Sequence, residues 1–169
     1  FNNEFNSQDF LKTPEPLIQK QFSRIMSLKD GTKKMSKSDP SDLSRINLTD
    51  DNNQIINKIK KAKTDPMTMP KDEKNLSERP EAENLLGIYS SLQNQNIEKT
   101  LIEFGGKNFS EFKEKLSSLL VEKINPISQE IKKLLDDKKY LDNVLLEGSQ
   151  KADIIASKKI KEIKQLIGF

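Results

Sequence analysis

Residues 23–39, SRIMSLKDGTKKMSKSD, place a short apolar run before a turn and a basic loop. The run from Ser23 to Leu28 predicts a short buried strand, because its apolar residues are few and lie between turn-forming segments. Asp30-Gly31 is a turn signal, and the lysine, serine and proline content of residues 29–42 predicts a loop. A single strand cannot satisfy its own backbone hydrogen bonds, so we expect it to pair with strands outside this sequence.

The chain beyond residue 42 predicts a series of amphipathic helices, so the fold class is mainly α. Asp51 followed by Gln54 is a capping-box pattern that starts the first helix, and Pro80 suits the first turn of the second. A third helix is predicted to end at Gly105-Gly106, and a fourth to kink or break at Pro126. The last helix is predicted to begin near Gly148 or Ser149 and to bury one apolar stripe, which consists of Ala152, Ile155, Ala156, Ile160, Ile163 and Ile167.

Composition narrows the chemistry that the chain can perform. Its 169 residues include no cysteine and no histidine, and the formal net charge is +3. Without cysteine the chain cannot form disulfides or thiolate nucleophiles, and without histidine a zinc site or a serine–histidine hydrolase is not expected. The aspartates of the chain do not have the spacing of metal ligands. A mildly basic charge permits a nucleic-acid partner without requiring one. No apolar run approaches the roughly 20 residues that span a bilayer, and no targeting pattern is present, so we expect a soluble, cytoplasmic protein.

Residues 32–39 carry the groups that can hold a polyphosphate. Lys33, Lys34 and Lys37 supply ammonium groups, while serine hydroxyls and backbone N–H groups can donate hydrogen bonds to phosphate oxygens. Met35 lies among polar residues, and we expect it to pack inward as the anchor of the loop. Composition alone leaves the alternative of a solvated basic loop without a ligand.

Lys34-Met35-Ser36-Lys37-Ser38 is identical to the second signature motif (KMSKS) of the class I aminoacyl-tRNA synthetases. Together with segments 23–28, 79–90 and 141–148, it resembles the bacterial-type tryptophanyl-tRNA synthetase family over essentially the whole chain. The resemblance implies that residues 1–42 are the carboxyl-terminal tail of an incomplete Rossmann-like α/β domain, with its last strand and signature loop. It implies that residues 43–169 form the helical bundle that binds the tRNA anticodon.

The resemblance also implies an activity and a set of site residues. Members of the family activate tryptophan with ATP and Mg²⁺, release pyrophosphate, and transfer tryptophan from the adenylate to tRNA(Trp). Lys34 and Lys37 would be catalytic, because they would stabilise the charge that develops on the pyrophosphate. Ile25 would hold the adenine through its backbone. The implied ATP-binding residues are Ile25, Lys34, Met35, Ser36, Lys37 and Ser38, and a homodimer is implied for the full-length enzyme.

One part of the family pattern is missing from this sequence. The first signature motif of the family contains histidine, which this chain lacks, so we expect a portion of a longer enzyme that is inactive alone. Two alternatives stay open. One is the tyrosine-specific sibling, which shares the lysine–serine loop, and the other is a non-catalytic helical RNA-binding module that retains the loop.

Two further patterns permit contacts with RNA. The lysines from Lys58 to Lys63 could contact tRNA phosphates or could form the solvated face of a helix. Tyr89, Phe109 and Phe112 could stack on bases, but their helical spacing favours a place in the core. No individual tRNA-binding residue is predicted.

Overall fold

The structure, a computed structural model, describes residues 1–18, 22–74 and 76–169. These residues form two compact units, one of residues 1–18 with 133–169 and the other of the described residues between 19 and 132. The larger unit contains the strands Met26–Ser27 (β1) and Asp30–Lys34 (β2), the helices Asn52–Lys61 (α1), Pro80–Leu92 (α2) and Ile97–Phe104 (α3), and most of the helix Phe109–Asp136 (α4). The smaller unit contains the end of α4 and the helix Lys138–Ile167 (α5).

This arrangement confirms the mainly helical fold class. The helices account for most of the described chain, and β1 and β2 form its two-stranded sheet. Among the described residues, no helix has the length and apolar character needed to cross a bilayer. The domain boundary expected after residue 42 stays a prediction.

The hairpin corrects two expectations. β2 occupies Asp30–Lys34, within the stretch predicted to be a loop, and pairs with β1 in an antiparallel register that places Met26 opposite Lys34. The predicted strand at 23–28 is therefore only two residues long in the structure, and β2 of this chain pairs with it. On its other side, the Asn84 side chain accepts from the Met26 N–H and donates to the Met26 carbonyl, both at 2.9 Å.

The predicted starts and ends of the first helices are confirmed. Asp51 caps α1, since its carboxylate accepts from the Gln54 N–H at 2.8 Å while the Gln54 side chain accepts from the Asp51 N–H. Pro80 is the first residue of α2, and α3 ends at Phe104 with Gly105 as its cap. These signals are local in the sequence, so they can be identified without knowledge of the fold.

One hydrophobic core joins α1 to α4 in the larger unit. The Phe104 ring lies 4.9 Å from the rings of both Tyr89 and Phe112, close to perpendicular to each, which is a favourable edge-to-face arrangement. Tyr89 and Phe112 are buried, so their predicted place in the core is confirmed. Leu28 directly after β1 is buried, and Met35 directly after β2 packs against the same core. The core therefore holds the hairpin at its turn, through Leu28, and at the end of β2, through Met35.

α4 runs through Pro126 without a break, and a kink at Pro126 stays a prediction. Two expectations about the last helix are wrong. α5 begins at Lys138, well before Gly148, with Asp137 as its cap. The stripe from Ala152 to Ile167 is exposed rather than buried, apart from the partly covered Ile163. An apolar stripe establishes which face of a helix is apolar, but not that another segment of the same chain covers it.

Candidate functional site

A cavity of about 670 Å³ opens beside the KMSKS segment. Three short stretches line it: residues 23–25 before β1, residues 34–37 at the end of β2, and residues 45–48 after the next turn. The lining therefore includes Lys34, Met35, Ser36 and Lys37 of the predicted site, together with Ile25. The lining residues carry several positive charges and no carboxylate, which suits an anion.

The backbone before the motif is fixed by the hairpin. The Met35 N–H donates to the Ile25 carbonyl at 3.0 Å, so the two stretches that line the cavity are joined directly. Met35 packs against the core, which confirms its predicted position as the anchor of the segment. Ile25 lies immediately before β1 and reaches the cavity, but its predicted contact with adenine stays a prediction.

The motif itself forms a tight polar turn. The Ser36 and Ser38 hydroxyls lie 3.0 Å apart, and the Ser38 N–H donates to the Ser36 hydroxyl at 3.3 Å. Lys34 precedes this turn and Lys37 lies within it, and both are exposed. Exposed ammonium groups at a hydroxyl-rich turn can approach an anionic ligand without first breaking a buried contact.

A charged network behind the motif was not identified from the sequence. Arg45 lines the cavity, and its guanidinium lies 3.2 Å from the Asp42 carboxylate. The Lys58 ammonium contacts Asp42 at 2.7 Å and Asp50 at 2.6 Å. The hydrogen bond from Lys58, then that from Asn47 and the nearby Arg45 charge, hold the pKa of Asp42 below its ordinary value. The only sequence signal was the spacing of opposite charges, which occurs throughout this highly charged chain.

Lys58 therefore fits neither interpretation of the lysines from Lys58 to Lys63, as a tRNA contact or as part of a solvated helix face. Its side chain is 3% exposed and is paired with carboxylates, so it neither lies on a solvated face nor is free to contact tRNA. The neighbouring Lys60, Lys61 and Lys63 are exposed, which leaves both readings open for them. Phe109 is partly buried against the core, in line with its predicted packing role.

A second cavity, of about 520 Å³, lies between the hairpin and α2. Its charged lining residues are Arg24, Glu73 and Glu83. Two carboxylates beside one guanidinium disfavour a polyphosphate, so the cavity beside KMSKS is the better candidate for a nucleotide.

Sequence comparison places this site in a known class of enzymes. A sequence model of the family described as "tRNA synthetases class I (W and Y)" matches residues 1–125, and the chain belongs to this family. Among its relatives is the tryptophan–tRNA ligase of Agrobacterium fabrum, which is 53% identical over 155 residues, 92% of this chain and 44% of the relative. The tryptophan–tRNA ligase of Caulobacter vibrioides is 45% identical over 169 residues, 100% of this chain and 49% of the relative.

Solved structures show the same fold. The tryptophanyl-tRNA synthetase of Mycoplasma pneumoniae superposes with a TM-score of 0.82 at 24% identity, covering 99% of this chain and 49% of that one. The Campylobacter jejuni tryptophanyl-tRNA synthetase complexed with ADP and tryptophan gives a TM-score of 0.65 at 22% identity, covering 99% and 50%. The chain thus spans about half the length of the relatives it matches.

Proposed function

We propose that this chain is the carboxyl-terminal part of a tryptophan–tRNA ligase and that it supplies the side chains that bind the phosphates of ATP. The observation that carries the proposal is that the first four residues of the KMSKS motif, Lys34 to Lys37, line a positively charged cavity. Relatives that are 45% to 53% identical to this chain over the aligned residues carry the name tryptophan–tRNA ligase rather than that of the tyrosine enzyme. ATP, tryptophan and tRNA are the substrates that this function requires.

In the first reaction, a carboxylate oxygen of tryptophan forms a bond to the α-phosphorus of ATP. The bond from that phosphorus to the bridging oxygen breaks, and its electron pair leaves on pyrophosphate. Lys34 and Lys37, exposed at the turn, would donate to oxygens of the leaving group as its charge grows. Ser36 and Ser38 would add hydroxyl donors, and Met35 would hold the turn against the core.

Mg²⁺ enters this scheme with the nucleotide. The residues that line the cavity offer no carboxylate, and no cluster of acidic side chains in the described ranges is placed to hold a metal ion. Mg²⁺ prefers oxygen ligands and commonly takes several of them from substrate phosphates. The ion would therefore be ligated by ATP and would offset phosphate charge, while this chain contributes Lys34 and Lys37.

In the second reaction, a ribose hydroxyl of the terminal adenosine of tRNA attacks the tryptophanyl carbonyl, and AMP leaves.

The test replaces each motif lysine by alanine in the full-length protein that contains this chain. Lys34→Ala and Lys37→Ala should each slow tryptophan-dependent exchange of pyrophosphate into ATP by about 10²–10³-fold, the effect of losing one preorganised electrostatic contact. The affinity for tryptophan should stay within about twofold, because these side chains act on the phosphates.

Lys33→Ala is the matched control. Lys33 is adjacent in sequence and similarly exposed, but it pairs with Asp30 at 3.4 Å and is not among the cavity-lining residues. Exchange by this variant should match the wild type. Unchanged kinetics in both motif variants, or an equal loss in Lys33→Ala, would contradict the proposal.

A further inference from the structure

The chain directly after the KMSKS turn is held by one arginine. Arg45 donates from one terminal nitrogen to the Asp39 carbonyl at 2.9 Å and to the Ser41 carbonyl at 3.4 Å. Its Nε donates to the Asn47 side chain at 3.2 Å, and its other terminal nitrogen lies 3.2 Å from Asp42. A guanidinium has five N–H donors, so these contacts use nearly all of them. Arg45 therefore binds the main chain behind the motif rather than presenting a free fork to a ligand.

Arg45 is itself held by an ion network, in which the Asp42 side chain is 55% exposed while Lys58 and Asp50 are buried. Asp42 connects it to Lys58, whose ammonium also lies 2.6 Å from Asp50. The Lys58 and Asp50 side chains are 3% and 5% exposed. Breaking such a buried pair leaves an uncompensated charge, so these partners stay together in the folded state. The network consequently connects the chain that directly follows the KMSKS motif to Lys58 of α1.

The other end of the segment is fixed independently. Lys34 lies in β2 opposite Met26, and the next residue donates its N–H to Ile25. Only residues 36–38 lie between this hairpin contact and the Asp39 carbonyl that Arg45 holds. The position of the Lys37 backbone is therefore set by a short span between two anchors, of which Arg45 is one.

We propose that Arg45 is a positioning residue for the adenylation reaction: by fixing the main chain at Asp39 and Ser41 it places the Lys37 ammonium where the pyrophosphate charge develops. This inference rests on the proposed function and extends it to a residue outside the KMSKS motif. A displacement of about 1 Å at a catalytic group can lower a rate by as much as 10²-fold, so a contact that only orients Lys37 has a measurable kinetic effect.

The experiment uses Arg45→Lys in the full-length protein, since lysine keeps the charge but cannot reach two carbonyls and a carboxylate together. We expect kcat for tryptophan-dependent pyrophosphate exchange to fall about tenfold, with the KM for tryptophan within about twofold of wild type. The matched control is Arg79→Lys, which replaces another half-buried arginine paired with an aspartate, Asp65, but outside the cavity lining. Arg79→Lys should lower the melting temperature and leave the exchange kinetics unchanged when assayed below it.

The decisive measurement places Arg45→Lys in a Lys37→Ala background. Because Arg45 acts through Lys37, the exchange rate of the double variant should be little lower than that of Lys37→Ala alone. The fold-losses of the two single variants should therefore not multiply. Full multiplication of the effects, an equal kinetic loss in Arg79→Lys, or wild-type kinetics in Arg45→Lys would each overturn the inference while leaving the proposed function in place. Absence of exchange by the wild-type full-length protein would instead overturn the proposed function, and the inference with it.

Discussion

At the scale of single residues, Asp65 and Arg79 of the larger unit form an ion pair with two hydrogen bonds. Two guanidinium nitrogens of Arg79 donate to the two carboxylate oxygens of Asp65, at 2.8 and 2.7 Å. The side chains are 20% and 12% exposed, and the guanidinium also lies 5.8 Å from the centre of the Phe109 ring. A bidentate pair of this kind is stronger than a typical surface ion pair because geometry and partial burial both favour it.

This pair predicts an acid-dependent contribution to stability. Burial tends to raise the pKa of Asp65, but the hydrogen bonds from Arg79 and from the Met67 N–H outweigh it and hold the pKa below the usual 3.8. The unfolded chain therefore binds more protons near that pH, so the contribution is complete above the unfolded pKa and is lost as pH falls through the folded pKa. Asp65→Asn should lower the free energy of unfolding by about 1.5–3 kcal/mol at pH 7.

Urea denaturation at pH 7 and at pH 3 checks this expectation. The difference between wild type and Asp65→Asn should shrink at the lower pH, because pH 3 lies below the ordinary aspartate pKa of 3.8 and the unfolded wild-type chain takes up a proton at Asp65 there. Glu4→Gln, a change at an exposed carboxylate, is the control and should alter stability little at either pH. If the free energy of unfolding of the wild type exceeded that of Asp65→Asn by the same amount at both pH values, the role given to the charge on Asp65 would be contradicted.

The structural roles that could be predicted from the sequence were those of residues whose pattern lies within a few neighbouring positions. Asp51 caps a helix through a neighbour three positions away, and Met35 stands out as an apolar residue among polar ones. Arg45 and Lys58 could not be predicted in the same way, because their roles depend on partners brought together by the turn at 42–44 and by α1. The roles of Lys34 and Lys37 stay predictions that rest on the family resemblance, because the composition of the segment alone does not distinguish a phosphate-binding loop from a solvated one.

At the scale of elements, the backbone of β2 packs directly on the first turn of α2. A Cβ atom added at Gly31 would lie 2.5 Å from the Pro80 carbonyl carbon and 2.6 Å from the Glu81 nitrogen, far inside a van der Waals contact. Glycine at this position thus permits the close approach of hairpin and helix. The same approach places Asn84 of α2 beside Met26, so the contact supports the strand that leads into the site.

Gly31→Ala should therefore destabilise the larger unit by about 1–3 kcal/mol, the usual range for overpacking. Gly148→Ala is the control, because Gly148 lies inside α5 with nothing within 4 Å of the added Cβ, and it should stabilise its helix by about 0.5–1 kcal/mol. Thermal unfolding followed by circular dichroism would detect shifts of opposite sign. A Gly31→Ala variant as stable as wild type would show that the hairpin can move away from α2 at little cost.

The errors at this scale have physical causes. β2 was predicted as a loop because glycine and lysine disfavour strands, yet its pairing is decided by β1 and by the contact with α2. The start of α5 was placed too late because Gly148 and Ser149 were interpreted as the beginning of the helix. A glycine inside an exposed helix costs only about 1 kcal/mol relative to alanine, which a helix of 30 residues tolerates.

At the scale of the whole molecule, the smaller unit exposes much apolar surface. Ile155 is 73% exposed, although the sequence pattern predicted that its stripe would be buried, and the neighbouring Ile154 is 71% exposed. The periodicity identified an apolar face, but burial also requires a second surface. Other large apolar side chains exposed on α5 include Tyr140, Val144, Leu145, Leu146 and Ile160.

The isolated 169-residue chain is predicted to be inactive in tryptophan-dependent pyrophosphate exchange. It spans about half the length of its relatives and contains no histidine, so the first signature motif of the family cannot come from these residues. The chain provides lysines beside a cavity, but adenylation also requires that tryptophan and the α-phosphate be held in reactive geometry. Exchange assays should compare the isolated chain with the full-length protein at equal concentration, with a reaction that contains no enzyme setting the background rate. Exchange by the isolated chain above that rate would show that these residues alone position both substrates, and the catalytic role of the missing motif would then have to be assigned within this chain.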